Sequence, residues 1–197
     1  NQSCKYCHAS RTSMDKVDTD MSLEIAKKAV DHAMQSPSPY LCFEYQGGEP
    51  TVNFDVIKFC VEYSREKNKK ERKTLDHSVV TNMTYMNEKH GNWLIENGIL
   101  LCTSLDGPAI VHNNNRPWTG GGAAYERVGK WMRWFNDRYV DLGHDPDLWH
   151  VDALTTTTQI SLKYGKEIVD EYVNLGLRNI HIRPLNPFGF ATKTWRR

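Results

Sequence analysis

The sequence predicts an α/β protein built as a partial TIM-like (β/α)6 barrel with its first strand truncated. Two observations carry that expectation. Strand, loop and helix patterns recur about every 30–40 residues, an alternation that implies parallel strands joined by right-handed crossovers. The chemically unusual residues then gather where those strands end, the side on which ligands sit in such folds. A full eight-unit barrel takes about 250 residues. The 197 residues here suit about six units. Five strands are visible, and the sixth is expected just before residue 1, leading into a loop that carries Cys4 and Cys7.

The elements follow in order. In "MSLEIAKKAVDHAM" (21–34), Leu23, Ile25, Ala26, Ala29, Val30 and Ala33 fall mostly on one helical face. Ser22 suits the N-cap, because its hydroxyl can accept from a free amide of the first turn. "SPSP" (36–39) ends that helix, since proline cannot continue it. "YLCFEYQGGEP" is a short, partly aromatic strand running into two glycines. "FDVIKFCVEYSREK" (54–67) is a helix whose basic continuation, "KNKKERK", reads as a solvated helix end. Strand 76–82, helix 87–98 and strand 99–107 follow. A polar loop, "HNNNRPWTGGG", leads to a helix over 123–140, strand 149–158, helix 162–176 and strand 179–185, with a tail that enters another helix. Trp131, Trp134 and Phe135 read as core. "TGGGA" (119–123) lacks the Lys-Ser/Thr of a phosphate loop and reads as a flexible connection.

Composition narrows the function classes. Lys+Arg 25 against Asp+Glu 24 leaves a net charge of +1, which gives no electrostatic reason to expect nucleic acid or an anionic membrane as partner. No apolar run approaches the roughly 18 residues of a bilayer span. Five cysteines are an odd number, and Cys42, Cys60 and Cys102 lie within apolar patterns. A disulfide framework is therefore not expected, and a reducing cytoplasm is.

"NQSCKYCHAS" opens the chain with Cys4, Cys7 and His8. C-x-x-C-H also describes a c-type haem site, but the pair here opens a cytosolic-type α/β domain. Closed zinc needs four ligands, whereas Cys4, Cys7 and His8 supply three. A dithiol redox pair needs a helix start at its first cysteine, and "SCKYCHASRTSMDKVD" is too polar and aperiodic to supply one. Two unliganded loop thiols remain the plainest alternative. An iron–sulfur cluster would need a third thiolate; in a C-x-x-x-C-x-x-C loop that cysteine lies four residues before Cys4, one residue upstream of Asn1.

The loop, "QGGEP" (46–50) after the next strand, "TN" (81–82), and "SLDGP" (104–108) with His112 and Arg116 beyond it together resemble the radical S-adenosylmethionine (SAM) superfamily. The likeness runs through the whole chain in order. It is to the branch that modifies peptides and proteins, including anaerobic sulfatase-maturating enzymes and ribosomal-peptide maturases; "IRPLNPFGFA" (182–191) is similar to maturases of His-Xaa-Ser peptide systems.

The resemblance implies two cofactors, a [4Fe–4S] cluster and S-adenosylmethionine. It implies reductive cleavage of the latter to a 5′-deoxyadenosyl radical, which abstracts a hydrogen atom from a peptide or protein side chain. It implies a small redox protein as electron donor. Residues 1–197 would be the core domain, with a C-terminal auxiliary-cluster domain expected beyond it. Cys4 and Cys7 would be cluster ligands, and Tyr6 would lie against the adenine. Gly47 and Gly48 would let the backbone approach the SAM amino group, because no Cβ intervenes. Glu49 would accept from that ammonium or orient the strand end, and Pro50 would stiffen the turn. Ser104 and Arg116 would hold the SAM carboxylate. Asn82 and Asp106 would contact ribose or anchor loops, and Leu185 with Thr155–Thr158 would line the adenosine side. Radical SAM chemistry on a small molecule and a non-catalytic metal- or haem-binding module are the alternatives. No residue stands out as a catalytic base.

Overall fold

Five parallel strands pair strictly in chain order: β1 (Tyr40–Tyr45), β2 (Thr74–Thr81), β3 (Leu100–Ser104), β4 (Asp152–Thr157) and β5 (His181–Pro184). The computed structural model describes residues 1–9 and 11–194. Sequential order with every pair parallel is the signature of a curling, barrel-type sheet; a doubly wound sheet would reverse order at a switch point. The expected partial TIM-like barrel is therefore present, as a curled half-barrel of five strands. The helices are α1 (Leu23–Met34), α2 (Phe54–Glu71), α3 (Glu88–Glu96), α4 (Ala109–Asn115), α5 (Ala124–Asp141) and α6 (Gly165–Asn174).

The register shows why one face is apolar. Tyr45 pairs with Val79, Val79 with Leu101, and Thr103 with Ala153. Val79, Leu101 and Ala153 are buried among Ile57, Leu94, Met132, Phe135 and Tyr172 from the surrounding helices. Leu41 and Phe43 pack on Ala26, Val30, Met34 and Cys60 in a second cluster. Alternation then sends Cys42, Glu44, Ser78, Val80, Cys102 and Ser104 to the opposite face, which no helix of the main core covers. Glycines permit close packing: a Cβ on Gly91 would meet Trp134 Cζ3 at 2.6 Å.

Several boundaries differ from expectation. The "polar loop" begins as a helix, because Pro108 occupies the N-cap of α4 and Val111, His112 and Asn115 are buried. Helix 54–67 continues to Glu71, where Lys69 and Lys70 favour the C-terminal end of the helix dipole. Strand 149–158 starts only at Asp152, and helix 162–176 divides into a 3₁₀ turn, Ser161–Lys163, and α6. On α1 the buried stripe is Ala26, Val30 and Met34, while Leu23 and Ile25 are exposed. Ser22 does cap α1, accepting from the Ile25 amide at 3.3 Å. Cys42 is exposed on the uncovered sheet face. The tail forms a 3₁₀ turn at Gly189–Lys193; Trp195, Arg196 and Arg197 lie outside the described residues. Among the described residues, no helix is long and apolar enough to cross a membrane.

Candidate active site

The amino-terminal segment lies on the rim formed by the carboxyl ends of the strands. It is held by an antiparallel ladder against the chain that leaves α4. Thr119 N donates to Asn1 O at 3.0 Å, Ser3 N to Pro117 O at 2.7 Å, and Lys5 N to Asn115 O at 2.9 Å. Gln2 bridges Trp118. Beyond the ladder the loop turns back on itself, with Cys7 N donating to Cys4 O at 3.3 Å. Cys4 and Cys7 are free thiols, each partly buried. The carboxyl tail closes the other side, where Ala191 N donates to Cys7 O at 2.9 Å.

Asp106, at the turn after β3, is fully buried. Its carboxylate accepts from the Tyr6 hydroxyl at 2.6 Å and 2.9 Å, from Arg116 Nε at 3.2 Å and from the Thr156 amide at 3.2 Å. The Arg116 guanidinium lies 4.9 Å from the Tyr6 ring centroid. Burial, reinforced by Asp106, keeps the Tyr6 phenol well above its ordinary range, so Tyr6 acts as a donor. The Asp106 amide in turn donates to His112 Nδ1 at 3.3 Å. Burial pushes His112 down to about 4, so the ring is neutral.

Glu49 is buried in the turn after β1. One oxygen accepts from the amide and hydroxyl of Thr51 and, at 2.6 Å, from Thr81 Oγ1. The other accepts from the Asn82 amide at 2.7 Å. Of the two roles expected for Glu49, these bonds perform the second: they fasten the glycine turn to the end of β2. Asn82 reaches onward, donating to Asn1 Oδ1 at 2.8 Å, while Asn1 Nδ2 donates to Thr84 Oγ1 at 2.7 Å. The Gly47–Pro50 turn, the Asn82 turn and the cysteine loop are thus joined by direct hydrogen bonds.

The expected residues therefore come together on one rim, by two routes. Tyr6, Asp106 and Arg116 form one contact group, and Glu49 with Asn82 forms the other. Arg116 Nε is held by Asp106, and the residue is only 8% exposed. Ser104 is partly buried on the uncovered sheet face and makes no side-chain hydrogen bond among the described residues. Leu185 lines a cavity of about 770 Å³ with Tyr6, Asn115, Thr158, Ile160 and Phe190. Asn1, Thr51, Asn115 and Ile160 belong to this site but not to the sequence-derived set. Only Asn115 carried a signal, its place in an asparagine run ahead of Arg116.

The donors present suit an iron–sulfur cluster and S-adenosylmethionine. Two free thiols share one tight loop, a donor set matching thiophilic iron. Gly47 and Gly48 leave open space where a Cβ would stand, with nothing within 4 Å of either position. Asn115 Nδ2 is buried and unpartnered at the wall of the cavity, a donor awaiting an acceptor. Among the described residues, no group of three metal-ligating side chains is assembled, so Cys4 and Cys7 alone do not complete a cluster.

Comparisons agree with this geometry. The family profile of the radical SAM superfamily matches residues 1–144. A cysteine-type anaerobic sulfatase-maturating enzyme of Clostridium perfringens is 28% identical over 145 residues, which is 72% of this chain and 39% of that enzyme. A serine-type anaerobic sulfatase-maturating enzyme of Klebsiella aerogenes is 23% identical over 98% of this chain and 46% of its own length. The chain thus spans less than half of these two relatives. Among solved structures, anSMEcpe with bound AdoMet superposes with a TM-score of 0.80 at 23% identity, over 94% of this chain and 48% of that one. Streptococcus suis SuiB bound to its precursor peptide SuiA gives 0.70 at 16% identity, over 100% of this chain and 39% of that one. With the profile covering most of its length and the cysteine loop, glycine turn and Asp106 sharing one rim, this chain belongs to the radical SAM superfamily.

Proposed function

We propose that the protein modifies a side chain of a peptide or protein by radical chemistry. The observation that carries this reading is that hydrogen bonds join the amino-terminal segment bearing Cys4 and Cys7 to the Gly47–Glu49 turn, through Asn82, and to Asp106, through Tyr6. When bound, a [4Fe–4S] cluster and S-adenosylmethionine supply an electron and a 5′-deoxyadenosyl radical that takes a hydrogen atom from the substrate. Cys4 and Cys7 hold the cluster, with the third thiolate coming from the position one residue upstream of Asn1.

The chain's own residues then bind, orient and exclude. Gly47 and Gly48 present bare backbone to the amino group of S-adenosylmethionine. Glu49 and Pro50 fix that turn, and Asn82 ties it to the loop. Tyr6, Ile160 and Leu185 offer apolar surface to the adenosine, and Asn115 Nδ2 offers a hydrogen bond at the same wall. Ser104, on the uncovered face at the end of β3, would donate to the SAM carboxylate. A small redox protein delivers the electron. The peptide class is favoured because anSMEcpe and SuiB have been solved with peptides on the same fold.

The test uses the protein carrying its residues upstream of Asn1, reconstituted anaerobically with iron and sulfide. Reduced protein is expected to convert S-adenosylmethionine to 5′-deoxyadenosine, and Cys7→Ala to abolish that product. Product formation undiminished in Cys7→Ala refutes the ligand assignment.

A further inference from the structure

We propose that Arg116 is a positioning residue whose buried charge, held opposite Cys4, sets how readily the metal group on the Cys4–Cys7 loop accepts its electron. The inference rests on the iron–sulfur reading above. Its placement comes from the backbone. The hydrogen bonds Ser3 N to Pro117 O and Lys5 N to Asn115 O bracket Cys4 on one side of the ladder and Arg116 on the other. The side chain then stays beneath the loop. Its Nε is held by Asp106 Oδ2 at 3.2 Å, and its guanidinium carbon sits 4.9 Å from the centre of the Tyr6 ring. Its terminal nitrogens make no hydrogen bond among the described residues, and the side chain is 10% exposed. A charge so shielded from water acts over a longer range than a surface charge.

Electron uptake adds negative charge to the loop. A fixed cation opposite Cys4 favours the reduced form, and a fixed anion disfavours it. Arg116 and Asp106 therefore push the equilibrium in opposite directions, although they belong to one clamp. A clamp that served only to hold the loop would give variants of both residues the same defect. The sign of the effect thus separates an electrostatic role from a purely structural one.

The experiment is a redox titration, followed by electron paramagnetic resonance, of the protein carrying its upstream residues and reconstituted anaerobically. Arg116→Gln is expected to lower the ratio of reduced to oxidised cluster about tenfold at fixed applied potential, a shift of about 59 mV for one electron. Arg116→Lys, which keeps the charge, should stay near the wild type, and Asp106→Asn should raise the ratio. Equal direction in Arg116→Gln and Asp106→Asn, or no change in Arg116→Gln, overturns the inference. Should Arg116→Gln fail to retain iron, Asp106→Asn decides alone, and an unchanged or lowered ratio overturns it. Wild-type protein that takes up no iron would sink the iron–sulfur reading itself, a separate result.

Discussion

Two buried carboxylates, Glu49 and Asp106, stand at the ends of different strands and perform different tasks. Glu49 accepts only from neutral donors, all on its own turn or at the end of β2. It stitches neighbouring strand ends along the rim. Asp106 accepts from Tyr6 on the cysteine loop, from the Arg116 cation and from a β4 amide. It stitches the rim to the loop above it. The contrast separates the scaffold that shapes the Gly47–Pro50 turn from the clamp that positions the Cys4–Cys7 loop.

Breaking the clamp should cost most. Asp106→Ala strands a buried guanidinium and should lower stability by about 4 kcal/mol in urea unfolding. It should also increase hydrogen exchange at the Ser3 and Lys5 amides, which lie in the loop's ladder. Glu49→Ala removes the shared acceptor of several buried donors. Its expected cost is about 3 kcal/mol, with the Ser3 and Lys5 amides still protected. Similar exchange in the two variants would erase the distinction.

Acid sharpens the comparison further. Burial holds His112 near 4 in the folded protein, against about 6.5 in an unfolded chain. Between those values the unfolded chain binds the proton and the folded one does not. Stability is therefore fully present above about pH 6.5 and is lost as the pH falls toward 4. At pH 5 the loss from His112 should be about 2 kcal/mol or less. His77, stacked on Phe43 and Tyr45 away from the rim, is also held down to about 4 by burial. Comparing wild type with His112→Gln isolates the clamp's share, and an unchanged slope between pH 7 and pH 5 in that variant would show it has none. The smallest effect is expected from Tyr6→Phe, which removes one donor from Asp106 and should cost about 1 kcal/mol, measured in the same way.

Much of this was legible in the chain. Strand ends announced themselves through local chemistry: two glycines before Glu49, Asn82 after a β-branched run, Asp-Gly-Pro after β3. Such signals survive because turn residues are chosen by backbone conformation, which is local. Gly107, at φ +114° with Ile168 Cγ1 2.5 Å from a built Cβ, shows how tightly one of them is constrained. What stayed hidden was non-local or off-pattern. The ladder between Asn1–Lys5 and Asn115–Thr119 uses backbone groups, which leave no side-chain signature. The α4 helix was concealed because "HNNN" has helix-poor side chains, and burial of Val111, His112 and Asn115 overrides that preference. The bond from Arg116 Nε to Asp106 was likewise invisible, since spacing along the chain does not say which side chain a cation meets.

The central claim is that Cys4 and Cys7, alone among the five cysteines, serve the metal group on this rim. Iron and sulfide content after anaerobic reconstitution, measured for each Cys→Ala variant of the protein with its upstream residues, tests it most directly. The account predicts loss of the cluster in Cys4→Ala and Cys7→Ala and retention in Cys42→Ala, Cys60→Ala and Cys102→Ala. A cluster that survives removal of both loop thiols, or that disappears with Cys102, would contradict it.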